Sequence, residues 1–269
     1  MIKKTLVFYW YASRMYKNDI TYPFHLACIK KYSYAFDNAI FVISVDDIND
    51  KDLVFETENG IICSIGGIIG NIKFDVILND NLCEVNAFEK YILKNGSSES
   101  MELFFFAHTK GARIIHSYPD YKEDYLRWIF SLYFYCLEKD FLYEMQLKLV
   151  GGFGGNLPAF FGPIGFINED KRVFYPGTFY WVNMNTIYND EIEGTVSIPK
   201  ISNRAFCEKF PLIYSDAYKK LSSHNNKFKE PDESWYLYNH CNWDEISEYF
   251  GEKERFFNEY NKIKESIGL

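Results

Sequence analysis

The sequence lacks long apolar runs, cysteines at metal or redox spacing and blocks of basic charge, and each absence removes a class of protein. Its longest apolar stretches, "IICSIGGIIG" and "WIFSLYFYCL", are about half of the ~20 residues a membrane-spanning helix needs. The N-terminus "MIKKTLVFYWYASR" opens like a signal peptide, but its apolar core "LVFYWYA" is short and largely aromatic, so it reads as a first strand. Formal net charge is -8 and no run of Lys or Arg stands out, which argues against a nucleic-acid backbone as the main partner. The six cysteines are scattered with no CxxC pair, a pattern that suits reduced thiols in a cytoplasm. GxGxxG, GxSxG and HxxxH are missing as well, as are repeats and Pro/Ser-rich linkers.

What remains is rich in aromatics: 22 Tyr and 25 Phe in 269 residues, 48% of which are hydrophobic, enough to bury a substantial core. The aromatic excess fits stacking platforms for flat ligands or sugars, and equally a coding bias toward Phe, Tyr, Ile, Asn and Lys. Thr5 to Ala12 reads as a buried strand, Tyr22 to Phe36 as a helix with proline in its first turn, and Asn38 to Asp47 as a second strand. After a looser glycine-containing segment, "FDVILND" predicts another strand, "AFEKYILKNG" a helix stopped by Gly96, and "MELFFFAHTKG" a further strand. Tyr121 to Leu137 predicts a helix buried over most of its circumference, with Asp124, Arg127 and Ser131 as a narrow polar stripe. "KLVGGFGG" reads as a strand running into a glycine loop, and "VFYPGTFYWVN" as an aromatic strand. From Asn242 onward the sequence is a charged amphipathic helix or helix pair. Strands alternating with helices imply an α/β chain: a mostly parallel sheet covered on both faces, in a single domain with a C-terminal helical tail.

In such sheets ligands lie beyond the carboxyl ends of the strands. "LFFFAHTKGAR" is then a strand delivering His108, Thr109 and Lys110 to that crevice, with Gly111 letting the backbone turn. An ammonium, a hydroxyl and an imidazole together suit an anionic ligand such as a diphosphate. The bland alternative is a strand end that exits to solvent. "VDDIND" offers Asp46, Asp47 and Asp50 after another strand, for ribose hydroxyls or a divalent cation, or simply as a solvated loop. "EPDESW" sets Asp232 and Glu233 beside Trp235; a partly desolvated carboxylate there serves as a general base, while a helix N-terminus explains the same letters.

The order "FFFAHTKG", long aromatic helix, "FYPGTFYW", "PDESW" resembles a group of bacterial and viral GT-A-like glycosyltransferases of surface-polysaccharide synthesis, such as capsule or lipopolysaccharide assembly. The likeness covers roughly Phe74 to Trp235. "NDNLCEVNAF" resembles the group's Asn-rich turn leading to a Glu and a helix, which adds Asn79 and Glu84. The chain has Thr178 where the pattern has Asn, and Tyr180 for its first Trp.

The resemblance implies a GT-A-like, Rossmann-like catalytic domain over residues 1–241 with a helical extension at 242–269 packed on it. It implies a hexosyltransferase-type enzyme, inverting or retaining, moving sugar from a nucleoside-diphosphate sugar to a saccharide or glycolipid acceptor. The implied donor site is Tyr11, Asp46, Asn79, Glu84, His108, Thr109, Lys110 and Gly111. Gly177, Thr178, Phe179, Tyr180 and Trp181 form the sugar and acceptor wall with Trp235, and Glu233 or Asp232 is the base. Asp-x-Asp is absent from the expected strand end, so dependence on Mn²⁺ or Mg²⁺ stays open. No nucleic-acid partner is expected; the location is cytoplasmic, with peripheral association at the inner membrane face left open. A non-catalytic carbohydrate- or nucleotide-binding module of the same fold is the competing reading, and a glycoside hydrolase ranks below it because no acid pair except Asp232 and Glu233 stands out.

Overall fold

A strand buried on both faces satisfies its backbone polar groups by pairing with neighbouring strands, as the apolar runs ending at Ala12, Val45 and His108 do. The computed structural model describes residues 2–80, 82–94, 102–109, 120, 122–150, 159–162, 165–167, 173–174, 179–201, 206–213, 221–223, 228–229 and 252–269. Strands β1 (Lys3–Ala12), β2 (Asn38–Val45), β3 (Asn71–Leu78) and β4 (Glu102–His108) lie side by side and parallel in the order β3-β2-β1-β4. Short strands follow: β5 (Phe160–Gly162), β6 (Gly165–Ile167), β7 (Val173–Phe174), β8 (Tyr180–Asn183), β9 (Leu221–Ser223) and β10 (Phe228–Lys229). β8 joins β4 and β5 antiparallel, and β9 runs parallel to β5, completing a mixed seven-stranded sheet; β10-β6-β7 form a small second sheet. The chain is therefore α/β, with its parallel half built from the first four strands.

The helices are α1 (Thr21–Lys31), α2 (Lys51–Ile65), α3 (Glu84–Phe88, continuing as a π-helical turn over Glu89–Leu93), α4 (Lys122–Leu137), α5 (Lys139–Val150), α6 (Met184–Ile192), α7 (Phe206–Lys209) and α8 (Lys253–Ser266). Alternation along β1 splits the core in two. Leu6, Phe8 and Trp10 pack with α1, α4 and α8 on one face, while Val7 and Tyr9 pack with Val85 and Phe88 of α3 on the other. In α4 every residue from Trp128 to Leu137 is buried, as its periodicity predicts; even the expected polar Ser131 is inside, its hydroxyl donating to the Trp128 carbonyl at 2.7 Å. α8 buries Phe256, Tyr260 and Ile263, one stripe of a helix, and sets Phe256 5.1 Å from Phe130 between ring centroids. Arg255 ties its start to Glu138 and Asp140, and Lys264 ties its end to Glu123. The part of the expected extension from Asn242 to Gly251 lies outside the described residues.

Four expectations change. "VFYPGTFYWVN", expected as one strand, contributes β7 to the small sheet and β8 to the large one. The looser segment after β2 is helix α2: the Asp50 carboxylate accepts from the Leu53 amide at 3.2 Å to cap it, and Gly67, at φ 77°, takes the left-handed turn that ends it. "KLV" before the glycines is the last turn of α5, whose Met145 and Leu149 face the core, so its apolar pair follows helical spacing. "AFEKYILKNG" starts earlier than read, at Glu84, and becomes π-helical from Glu89. No described helix is long and apolar enough to cross a membrane. Cys28, Cys63, Cys83, Cys136 and Cys207 are free thiols.

Candidate functional site

β1 is the pivot of the parallel half. Strand order β3-β2-β1-β4 means the chain winds outward from β1 through β2 and β3, then crosses back to β4 on its other side. That reversal is the topological switch point where α/β sheets open a crevice at the carboxyl ends of their strands. The register sets Tyr9 beside Val42 and His108, and Tyr11 beside Ser44, so the last residues of all four strands finish at one rim. Tyr9 and Tyr11 are two apart and share a face, toward which Ile40, Val42 and Ile77 also point. Side chains two residues on, Asp46 and Asn79, continue that face past the strand ends.

A hydrogen-bond chain links these groups across four strands. The Thr109 amide donates to the Tyr9 carbonyl at 2.9 Å, and the Tyr11 amide donates to the Thr109 hydroxyl oxygen at 2.9 Å. The Tyr11 hydroxyl donates to the Asp46 carboxylate, 2.8 Å from Oδ2. Asn79 Nδ2 donates to Asp46 Oδ1 at 2.9 Å, while its Oδ1 accepts from the Tyr9 hydroxyl at 3.3 Å, which fixes the amide's orientation. Tyr22 of α1 braces the rim by donating to the Tyr11 carbonyl at 2.7 Å. Burial raises the Tyr11 phenol, and the Asp46 carboxylate beside it raises it further, so Tyr11 stays a neutral donor. Burial likewise lifts Tyr9 well above the tyrosine range, with the acids Glu84 and Asp80 adding to it.

The arrangement leaves usable valences. Asp46 is exposed and holds roughly four lone-pair sites, of which the network engages only part. The Thr109 oxygen accepts from Tyr11, so its own proton remains to be donated. A ligand with hydroxyls and anionic oxygens finds an acceptor at β2 and a donor at β4 on one rim.

Of the residues picked from sequence, Tyr11, Asp46, Asn79 and Thr109 come together here. Glu84 is buried as the first residue of α3, and the turn before it is held by Asp80, whose carboxylate accepts from the Leu82 amide at 2.8 Å and from Asn86 Nδ2 at 2.9 Å. Cys83 in that turn has φ 51°, a left-handed conformation costly for a residue with a Cβ. His108 is not open to the crevice as expected: it is buried at the end of β4, its ring 5.9 Å from Phe179. Asp47 accepts from its own neighbour, the Asn49 amide at 2.9 Å, and Asp50 caps α2 and pairs with Arg14, so neither joins the network.

Phe179, Tyr180 and Trp181 do not form an open wall. All three are fully buried; the Tyr180 hydroxyl donates to the Cys207 carbonyl at 2.9 Å and the Trp181 indole to the Cys136 carbonyl at 3.2 Å. β8 sits between β4 and β5, covered on both faces, and that position turns its aromatics into core. Lys110, Gly111, Gly177, Thr178, Asp232, Glu233 and Trp235 lie outside the described residues. Sequence reading missed Tyr9 and Tyr22; the alternation of β1, which puts position 9 on the face of position 11, carried a signal for the first.

Among the described residues there is no group of three or more His, Cys, Asp or Glu that fits a metal ion. Asp46 is the one carboxylate within the strand-end network, and its neighbours Tyr11 and Asn79 donate to it, so this set does not by itself fit a divalent cation. In the comparisons with known proteins, no protein-family model and no curated protein matches the chain.

Proposed function

We propose that the chain is a glycosyltransferase of hexosyltransferase type, binding a nucleoside-diphosphate sugar across the carboxyl ends of β1 to β4. The acceptor in this reading is a saccharide or lipid-linked saccharide of surface-polysaccharide synthesis, met at the inner face of a membrane. The observation that carries it is the chain of hydrogen bonds from Thr109 through Tyr11 and Asp46 to Asn79, spanning four strand ends at the switch point.

Each group has a role that its chemistry suits. Asp46 accepts from ribose hydroxyls, with Tyr11 and Asn79 holding its carboxylate in place. Thr109 donates to a phosphate oxygen, and Lys110, next in the chain, supplies the point charge that stabilises the departing diphosphate. The acceptor hydroxyl attacks the anomeric carbon as the bond to the diphosphate oxygen breaks, and Glu233 or Asp232 takes the hydroxyl proton.

The test is release of nucleoside diphosphate from nucleotide sugars, with and without saccharide acceptors. The expected result is slow hydrolysis of at least one donor without acceptor, faster release with one, and loss of both in Lys110→Ala. Glu233→Gln is expected to lower turnover while donor binding persists. Nucleotide binding with no turnover of any donor identifies a binding module instead, and overturns the enzyme assignment.

A further inference from the structure

A cavity of about 340 Å³ opens between the carboxyl end of β1 and helices α1 and α2, a size within the range of small-molecule sites. It lies on the Trp10 face of β1, opposite the face that carries Tyr9, and shares no residue with the strand-end hydrogen-bond chain except the brace Tyr22. Its base is apolar: Trp10 and Tyr22 stack with centroids 5.3 Å apart and planes 23° from parallel, beside Leu26, Leu53 and Ile61. Its rim is polar, formed by Ser13, Lys17, Asn18, Glu56, Thr57 and Ser64. We propose that this cavity is a second binding site, taking a neutral monosaccharide ring.

The rim's charges point to that class. Lys17 and Glu56 both line the cavity, one charge of each sign, and Glu56 also acts on the Arg14 guanidinium. The nearby Arg14 is engaged with Asp50 through two guanidinium nitrogens, so the rim has no surplus cation for an anionic ligand. A purely apolar ligand covers the polar rim of Lys17, Asn18 and Glu56 without replacing the water bonds it displaces, which is costly. A sugar ring meets both demands, with C–H groups over the base and hydroxyls at the rim. The hydroxyls of Thr57 and Ser64 donate back along α2 to the Leu53 and Gly60 carbonyls, at 2.7 and 2.8 Å, so toward a ligand they act as acceptors. Lys17 and Asn18 supply the donors.

Gly60 keeps the space open. It stands inside α2, where glycine costs roughly 1 kcal/mol relative to alanine, and a Cβ there meets nothing within 4 Å. Gly60 lines the cavity, so a larger side chain begins from a Cβ that meets no neighbour and is a better helix former than glycine. Tyr22 lines the cavity with its ring while its hydroxyl donates to the Tyr11 carbonyl.

The inference goes beyond the transfer reading and does not depend on it. The experiment titrates the full chain with methyl glucoside, methyl galactoside and N-acetylglucosamine by saturation-transfer NMR and calorimetry. At least one sugar is expected to bind in the millimolar range, and Gly60→Leu is expected to weaken it roughly tenfold or more with the melting temperature unchanged or raised. Glu56→Gln, on the exposed rim, is expected to weaken the same sugar severalfold and serves if Gly60→Leu does not fold. No binding of any of the three sugars, or equal binding by wild type and the folded variant, overturns the site. A parallel titration with nucleoside diphosphate, expected to be alike in wild type and Gly60→Leu, separates a failure here from a failure of the transfer reading.

Discussion

The two halves of the sheet use the same residue type for opposite ends. In the parallel half, Tyr9 and Tyr11 stand where strands stop, and their hydroxyls meet the polar side chains of Asn79 and Asp46. In the antiparallel half, Tyr180 stands where a strand is flanked on both sides and covered on both faces, and its hydroxyl is spent on a backbone carbonyl. Trp181 follows the same rule. A tyrosine's hydroxyl is thus directed by its place in the sheet. At the carboxyl rim of the parallel half it meets polar side chains, whereas in a strand flanked on both sides and covered on both faces it is spent on a backbone carbonyl.

The sharpest way to break this comparison is to truncate one residue of each half. Trp181→Ala, at a fully buried site, is expected to cost about 3–5 kcal/mol in denaturant unfolding while leaving nucleotide affinity of the remaining folded protein unchanged. A selective loss of ligand binding with little loss of stability would instead place Trp181 at the site. Asp46→Asn, at an exposed site, is expected to leave the unfolding midpoint nearly unmoved and to weaken nucleotide binding about tenfold, ~1.4 kcal/mol, measured by calorimetry. If stability fell and binding did not, Asp46 would belong with the structural residues.

A smaller effect concerns the clasp between α4 and α8. Burial alone would raise the Glu123 carboxyl, but hydrogen bonds from Lys264 and Tyr260 outweigh it and hold the group below the usual 4.5. A depressed carboxyl stabilises the fold above its unfolded value, and that contribution disappears as pH falls through the folded value. Because the pair is partly exposed, the contribution is expected to be under about 1 kcal/mol. Glu123→Gln should therefore lower stability at pH 7 by under about 1 kcal/mol, flatten the profile below about pH 4.5, and converge with wild type in acid.

Much of the parallel half is legible because buried parallel strands write themselves as continuous apolar runs, as in Leu103 to Ala107, and their ends as the first polar letters. Asp46 and Thr109 are readable for that reason, whereas Asn79 enters only through the resemblance of "NDNLCEVNAF" to an Asn-rich turn. The helix α2 was hidden by Gly60 and the Gly66-Gly67 pair, which interrupt an apolar pattern and weaken any helical reading. The end of α5 was misread because three residues of Lys-Leu-Val carry no period of their own. Tyr180 and Trp181 were misplaced for a deeper reason. Residue type and alternation say which face of a strand a ring occupies, but which layer covers that face is decided by elements distant in sequence, here α4, β5 and α7.

The most direct test of the central claim is a thermal-shift series with uridine, guanosine, cytidine, adenosine and thymidine diphosphates on wild type and Asp46→Asn. A ligand that binds only the native state at about 100 times its dissociation constant adds ~2.7 kcal/mol, or roughly 5 °C for a chain of this size. At least one diphosphate is expected to give such a rise in wild type and a clearly smaller one in Asp46→Asn. An unchanged melting temperature with every diphosphate, or an equal rise in both proteins, would contradict a nucleotide site at these strand ends.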